Sequence, residues 1–512
     1  MIPKPISLRL GLFASALIVL ALFWFNPYEK SIINRLLGLS LIASAMTPLW
    51  RWLCDPSKDA VPVLGLIGLF YAICYGTAGL VTPDRSHQVI VVTEAEYTPG
   101  LIAAHISWSL IWAGFVWGVN YCSGPEPRTF SCLGTETNDV ILYLGYPVSV
   151  IVHQLTIYLR LEGAIEVIGA LHVFFFVWVL HAAWTRNLRP VGRWIVLAGV
   201  LPLDILLYSG LGQGFLVGLL VFAQIIGLTY AAARNRILIS PIALAILTYF
   251  MLAPVKAEFR VRTWGGSTQA GNVQGLADFV QLGATYYGQD RRESLSESLN
   301  KSYSRINHLH ITAAIISSTP SSVPFQDGET YLPLFTKWVP RAIWPEKPRE
   351  NLGARWAKEY GYMAMGNEVS SFNLPWLPEM YMNFGWTGVV VISFLVGVFA
   401  AFIWSRFANR KSSPAFAAAL VLLSPLFFPE SNLSMQLGGL FIVWPAIISF
   451  CWLIHLYFGG ATRIGKSGTK SSEVVLTSEL SEMPEPTPTR DVARMDGAGA
   501  SFTDSGRDGA SK

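Results

Sequence analysis

The residues best suited to holding an anion stand in PVKAEFRVRTW, where Lys256, Arg260 and Arg262 precede Trp264 and follow an apolar run that ends near Pro254. Guanidinium forks match phosphate oxygens, and a lysine adds a compact point charge. If the stretch is helical, Lys256 and Arg260 share a face; if it is extended, Arg260 and Arg262 do. Cations at the end of an apolar run also snorkel toward lipid headgroups, and that reading stays open beside phosphate binding. A second set, WVPRAIWPEKP at 338–348, places Arg341 and Lys347 among Trp338 and Trp344, on a path that its three prolines keep out of a regular helix. Indole rings can lie against sugar faces while cations meet phosphate; the same pairing anchors a loop at a membrane interface, and the residues do not decide between the two. A third set, SSFNLPWLPEMYMNFGWTG at 370–388, brings Glu379, Tyr381 and Asn383 ahead of Gly385 and Gly388. Pro375 and Pro378 are expected to break the start of the helix that follows, and the two glycines to permit close helix approach. A carboxylate at an apolar boundary can take a hydroxyl proton, with Glu329 as an alternative to Glu379; an ion pair between Glu379 and a loop arginine is the plainer role. Tyr331 and Arg355, in the same central region, are further candidates for substrate contact.

Several other chemistries lack their residues. There is no GxxxxGK phosphate loop, HExxH pair, GxSxG elbow or GxGxxG turn. His308 and His310 would diverge on a helix, which argues against a metal pair. No metal or other cofactor is therefore expected. His105, His153, Glu166, His172, His181 and Asp204 fall at membrane depth, where ionisable groups face a cavity or a partner. Their spacing defines no relay.

The elements that must position these groups are membrane helices. The chain has 512 residues, of which 52% are hydrophobic and only 14% charged, and its mean hydropathy is +0.43. A soluble chain carries about a quarter charged residues, and a net charge of +4 leaves no footprint for nucleic acid. Apolar runs stand near 10–27, 33–50, 61–80, 101–120, 138–158, 164–184, 195–211, 213–231, 237–254, 377–404, 413–429 and 436–457. Each is close to the roughly 20 residues that cross a bilayer as a helix. The expected fold is an all-α polytopic integral membrane protein of about twelve spans: 1–254 an N-terminal bundle, 255–376 a large extracytoplasmic loop with amphipathic or re-entrant helices, 377–460 the C-terminal helices, and 461–512 a disordered cytoplasmic tail. One helix is expected around 293–318. The first run reads as a retained helix.

Orientation follows Lys and Arg in the short connections. One alternating set holds Lys4, Arg9, Arg51, Lys58, Arg128, Arg186, Arg189, Arg193, Arg234, Arg236, Arg406, Arg410 and Lys411; the other holds Lys30, Arg35, Arg85 and Arg160. This predicts cytoplasmic termini and places 255–376 outside. Cys122 and Cys132 then face the cytoplasm, where a disulfide is unexpected.

With PVKAEFRVRTW, PRAIWPEKP and PEMYMNFGWTG in this order, mainly over residues 250–400, the chain resembles the O-antigen polymerase (Wzy-type) family of polysaccharide repeat-unit polymerases; the related O-antigen ligases are the nearest competitor. The resemblance implies a glycosyltransferase C-like enzyme of the bacterial inner membrane. Its donor and acceptor would be undecaprenyl-pyrophosphate-linked glycans, and its partners chain-length regulators or other envelope polysaccharide assembly proteins. Arg260, Arg262 and Arg341 would stabilise the leaving pyrophosphate and Glu379 would take the acceptor proton. Lys256, Trp264, Tyr331, Trp344, Lys347, Arg355, Tyr381 and Asn383 would contact substrate. A flippase for the same lipid-linked glycan is a competing class, disfavoured by the lack of an internal repeat.

Overall fold

Long apolar runs satisfy their backbone polar groups internally, and in this chain they do so as helices. The computed structural model describes residues 31–456 apart from 58, 82–89, 91, 123, 125–133, 160, 211–215, 239, 254, 265–271, 289–302, 337–343, 345, 347–350, 368–371, 409–410 and 455. The run at 10–27 and the whole C-terminal tail at 461–512 lie outside the described residues, as do Cys132, Arg341 and Lys347. No strand occurs among the described residues. Two units divide the chain, Met1–His455 and Leu456–Lys512; the helices described below belong to the first.

The helices are α1 Ile32–Cys54, α2 Val63–Gly79, α3 Glu94–Tyr121, α4 Thr135–Tyr158, α5 Glu162–Thr185, α6 Pro190–Tyr208, α7 Leu216–Arg234, α8 Ser240–Leu252, α9 Lys256–Trp264, α10 Asn272–Gly288, α11 Leu309–Ser318, α12 Leu352–Glu359, α13 Trp376–Phe407, α14 Ser413–Phe427 and α15 Leu433–Ile454. Seven of them, α1, α3, α4, α5, α6, α13 and α15, are long and apolar enough to cross a membrane. The protein is thus an all-helical chain of polytopic membrane type. Four more predicted runs form the shorter apolar helices α2, α7, α8 and α14.

Contacts at the helix ends sort the bundle into two poles. At one, Asn34 Nδ2 donates to Glu94 Oε1 at 2.7 Å, His308 N to the Cys74 carbonyl at 3.1 Å and Tyr303 Oη to the Val81 carbonyl at 3.2 Å. At the other, Trp404 Nε1 donates to the Val61 carbonyl at 3.1 Å, His181 Nδ1 meets Ser413 Oγ at 3.0 Å, and Arg189 pairs with Asp139 at 3.1 Å. Arg51, Arg186, Arg189, Arg193, Arg234, Arg236, Arg406 and Lys411 follow the second pole. The turn at 303–308 and the start of α11 sit at the first.

Packing in the centre depends on small residues, since lipid supplies no hydrophobic drive between helices. A Cβ on Gly114 would meet the Phe394 carbonyl oxygen at 2.1 Å and one on Gly397 the Ile111 carbonyl oxygen at 2.1 Å, so α3 and α13 touch backbone to backbone. Beside this seam a buried chain of hydroxyls runs from Tyr71 through Ser107 to Ser393, each step 2.7 Å, and ends on Met380 Sδ at 3.4 Å.

Met380 and Ser393 are thirteen positions apart and touch because α13 is not one straight rod. Phe384 (φ −136°, ψ 16°) and Gly385 (φ 58°, ψ −144°) interrupt it, folding Trp376–Asn383 back against the long second half. The expected break at Pro375 and Pro378 lies elsewhere for a simple reason. Pro375 is the N-cap and Pro378 falls in the first turn, where a missing N–H costs no helical bond. The reversal itself needs the positive φ that glycine adopts without strain.

Candidate functional site

α9 begins three residues after Ala253 and is anchored by its apolar side. Val255 and Phe259 are buried with Leu216, Leu252 and Phe279, and the Phe259 and Phe279 rings stack at 4.5 Å. The stretch is helical, so Lys256 and Arg260 lie one turn apart on one face. Burial, then the charges of Arg305 and Arg260, push the Lys256 ammonium down to about 8, against a smaller opposing pull from Glu430. Burial and Arg305 likewise lower the Arg260 guanidinium from its ordinary value. Lys256 and Arg260 on α9 thus both feel the charge of Arg305 from a separate stretch, and Lys256 also feels that of Glu430. Like charges that feel one another in this way are relieved by an anion between them. Glu430 accepts a hydrogen bond from Asn373 Nδ2.

Arg262 is not part of this group. It is 62% exposed and pairs with Glu258 one turn earlier on α9. Trp264 is the last residue of α9, and Trp344 is exposed. Arg341 and Lys347 fall outside the described residues.

Glu379 and Asn383 form a second, separate node. Both are 0% exposed, on the folded-back half of α13. Glu379 Oε1 accepts from Thr330 Oγ1 at 2.9 Å and Oε2 from the Leu433 N–H at 2.6 Å, at the start of α15. Asn383 Nδ2 donates to Thr330 Oγ1 at 2.7 Å and to the Glu379 carbonyl at 2.8 Å, while its Oδ1 accepts from Gly328 N–H at 3.0 Å. Gln326 N–H adds a bond to the Met382 carbonyl at 3.1 Å. The node clasps the 326–331 turn and the start of α15 onto α13. Both oxygens of the Glu379 carboxylate, the expected proton acceptor, accept hydrogen bonds inside the protein.

The outer side of the same turn is tied by Arg355. Its guanidinium takes Glu329 in two bonds of 2.7 and 2.8 Å and Glu359 at 2.8 Å, and reaches Gln326 Oε1 at 3.3 Å. These bonds hold Glu329 below the usual carboxylate range, so it is a weak base. Tyr331 stacks on Phe384 with ring centroids 6.2 Å apart, and burial followed by the nearby Glu379 charge raises its phenol. Tyr381 is buried with its ring edge-on to Trp386 at 5.5 Å. Arg355, Tyr331, Tyr381 and Asn383 therefore sit with the clasp.

Three residues of these sites escaped the sequence reading: Arg305, Glu430 and Thr330. Arg305 stands in SESLNKSYSRINHLH, a largely polar stretch in which it is not distinguished from its neighbours. Glu430 follows an apolar run in FPESN and looks like an ordinary charged turn.

Residues 82–424, about two thirds of the chain, match the family model described as a domain of unknown function, DUF8712. No curated protein and no solved structure matches the chain. The matched stretch includes Lys256, Arg260, Arg305, Thr330, Glu379 and Asn383, and ends just before Glu430. The chain belongs to the DUF8712 family.

Proposed function

We propose that the protein is a membrane-embedded glycosyltransferase that polymerises undecaprenyl-pyrophosphate-linked oligosaccharide repeat units into O-antigen or exopolysaccharide. In this reading it has twelve spans, a glycosyltransferase C-like plan and cytoplasmic termini, and residues 255–376 face the outer side of a bacterial inner membrane. The observation that carries the proposal is that Lys256 and Arg260, one turn apart on α9, are both lowered by burial and by the charge of Arg305, with Glu430 pulling Lys256 the other way. A pyrophosphate leaving group develops negative charge as its bond to the anomeric carbon breaks. Preorganised cations in a water-poor place stabilise that charge without reorganising.

The chemistry balances with the chain's own groups. The acceptor hydroxyl oxygen bonds to the anomeric carbon, the old C–O bond leaves its electron pair on the pyrophosphate, and the hydroxyl proton passes to a carboxylate. Glu430 is the carboxylate beside the cations and takes that role here. The clasp of Glu379, Asn383 and Thr330 holds the turn at 326–331 in place.

Purified protein in lipid vesicles, given a defined lipid-linked repeat unit, tests the proposal by product length. Polymer ladders are expected. Transfer only to a lipid A-core acceptor makes the enzyme a ligase, and a change of leaflet without a new glycosidic bond makes it a flippase; either result replaces the polymerase reading.

A further inference from the structure

A second group of ionisable residues lies far from the cation cluster, inside the bundle. His172 on α5 and Asp204 on α6 are 2% and 1% exposed, and His172 Nε2 stands 3.4 Å from Asp204 Oδ2. Tyr146 and Ser149 on α4 close one side, while His153 on α4 and Tyr208 on α6 close the other. Tyr208 lies 4.2 Å from the His172 ring and stacks on His153 at 5.1 Å, and the two histidine rings are 5.7 Å apart. The sequence spacing of these residues suggests no such meeting, since they come from three helices.

Counting hydrogens decides the state of the pair. Ser149 has one hydroxyl proton, and at 2.7 Å the Tyr146 carbonyl can only accept it. His172 Nδ1, 3.1 Å from the same Ser149 oxygen, must therefore be the donor there. If His172 were neutral, its proton would be spent on Nδ1 and the Nε2 lone pair would point at Asp204. The Tyr146 hydroxyl proton is also spent, on Asp204 Oδ1. A carboxylate oxygen and a lone pair would then face each other in an apolar layer, with nothing between them. Nε2 makes no other hydrogen bond, so the vacancy in the count lies between these two atoms.

We infer that His172 and Asp204 form an intramembrane proton-binding site, holding one proton more than a neutral imidazole and a free carboxylate would carry. The proton sits between Nε2 and Oδ2, as an imidazolium paired with a carboxylate or as a carboxylic acid donating to the imidazole. The titratable groups facing the pair among the described side chains are Tyr146 and His153 from α4 and Tyr208 from α6. His153, Gln154 and Tyr208 are only half-buried, and Gln154 Nε2 donates to Tyr208 Oη at 3.2 Å. They form the open side of the site, toward the ends of α4 and α6. Removing the proton leaves an uncompensated charge in the apolar layer, which is strongly unfavourable.

The test uses the full chain, labelled with 15N-histidine, in lipid nanodiscs at pH 7.5, with the His172 signals assigned by their loss in His172→Gln. Nitrogen NMR distinguishes a bare imidazole nitrogen from one that carries or shares a proton. The expected result is a protonated Nδ1 and an Nε2 that carries or shares a proton in the parent. In Asp204→Asn the Nε2 signal should change. Should that variant fail to fold, Tyr146→Phe keeps the carboxylate, and the shared-proton signal should move without vanishing. A bare Nε2 lone pair in the parent overturns the inference, as does a His172 spectrum indifferent to both substitutions. None of these readouts involves glycosyl transfer.

Discussion

Replacing Glu379 separates a structural clasp from a catalytic base. In the parent, its two oxygens accept from Thr330 Oγ1 at 2.9 Å and from Leu433 N–H at 2.6 Å, with no solvent exposure. Glu379→Ala leaves both donors buried without an acceptor. At about 1–3 kcal/mol for each of the two orphaned donors, the expected cost is about 2–6 kcal/mol. Glu379→Gln keeps the volume and one oxygen, but its NH2 must face one of two donors. Thr330 can turn to accept it only by stranding its own proton, so about 1–3 kcal/mol is expected. Thermal unfolding of the purified protein should rank parent above Glu379→Gln above Glu379→Ala, with faster proteolysis at 326–336 in the same order. Thr330→Val should show non-additivity with Glu379→Gln, because the two share one bond. A Glu379→Gln protein as stable as the parent but without turnover would refute the clasp and restore the base. Additive effects of the two substitutions would also count against it.

Other consequences follow from the geometry. Gly385→Ala forces a side chain into φ 58°, ψ −144° and brings its Cβ to 3.2 Å from the Phe325 ring, so a loss of about 1–3 kcal/mol is expected in thermal unfolding. Lys256, held at about 8 mainly by burial, is charged at pH 7 and loses its charge as pH rises through that value; pyrophosphate binding measured by calorimetry should weaken between pH 7 and pH 9 in the parent and less so in Lys256→Arg. Burial holds His308 at about 3 and His310 at about 4, below the ordinary 6.5. The stability these groups contribute is full above pH 6.5 and falls as the unfolded chain takes up protons below it, by on the order of 2 kcal/mol each from pH 7 to pH 5; His308→Phe should reduce that acid sensitivity, and an unchanged pH dependence would contradict the assignment.

Helices were legible wherever length and apolarity decide the outcome, because a bilayer-length run has few other ways to satisfy its backbone. The helical reading of PVKAEFRVRTW was conditional, and the burial of Val255 and Phe259 against Phe279 resolves it, joining Lys256 to Arg260 and turning Arg262 away. Sequence distance hid the rest. Arg305 and Glu430 reach the cluster only through the packing of the bundle, and the His172–Asp204 pair joins two helices whose polar residues share no spacing. Proline was a misleading marker in α13, since position within the first turn makes it harmless, whereas the reversal at Gly385 depends on a dihedral angle that composition does not reveal. Glu379 looked reactive because a lone carboxylate at an apolar boundary is conspicuous. Its partners, a threonine and a main-chain N–H, are not.

The most direct measurement compares Arg260→Ala with Arg262→Ala in reconstituted polymerisation of a defined lipid-linked repeat, at equal protein abundance. Two arginines on the same helix are separated by the structure: Arg260 joins Lys256 and Arg305, while Arg262 is exposed and paired with Glu258. Loss of one preorganised charge at a leaving group lowers turnover by about 10²–10³-fold, and that loss is expected for Arg260→Ala, with Arg262→Ala within a few-fold of the parent. Equal losses in both variants, or full elongation by Arg260→Ala, would contradict the account.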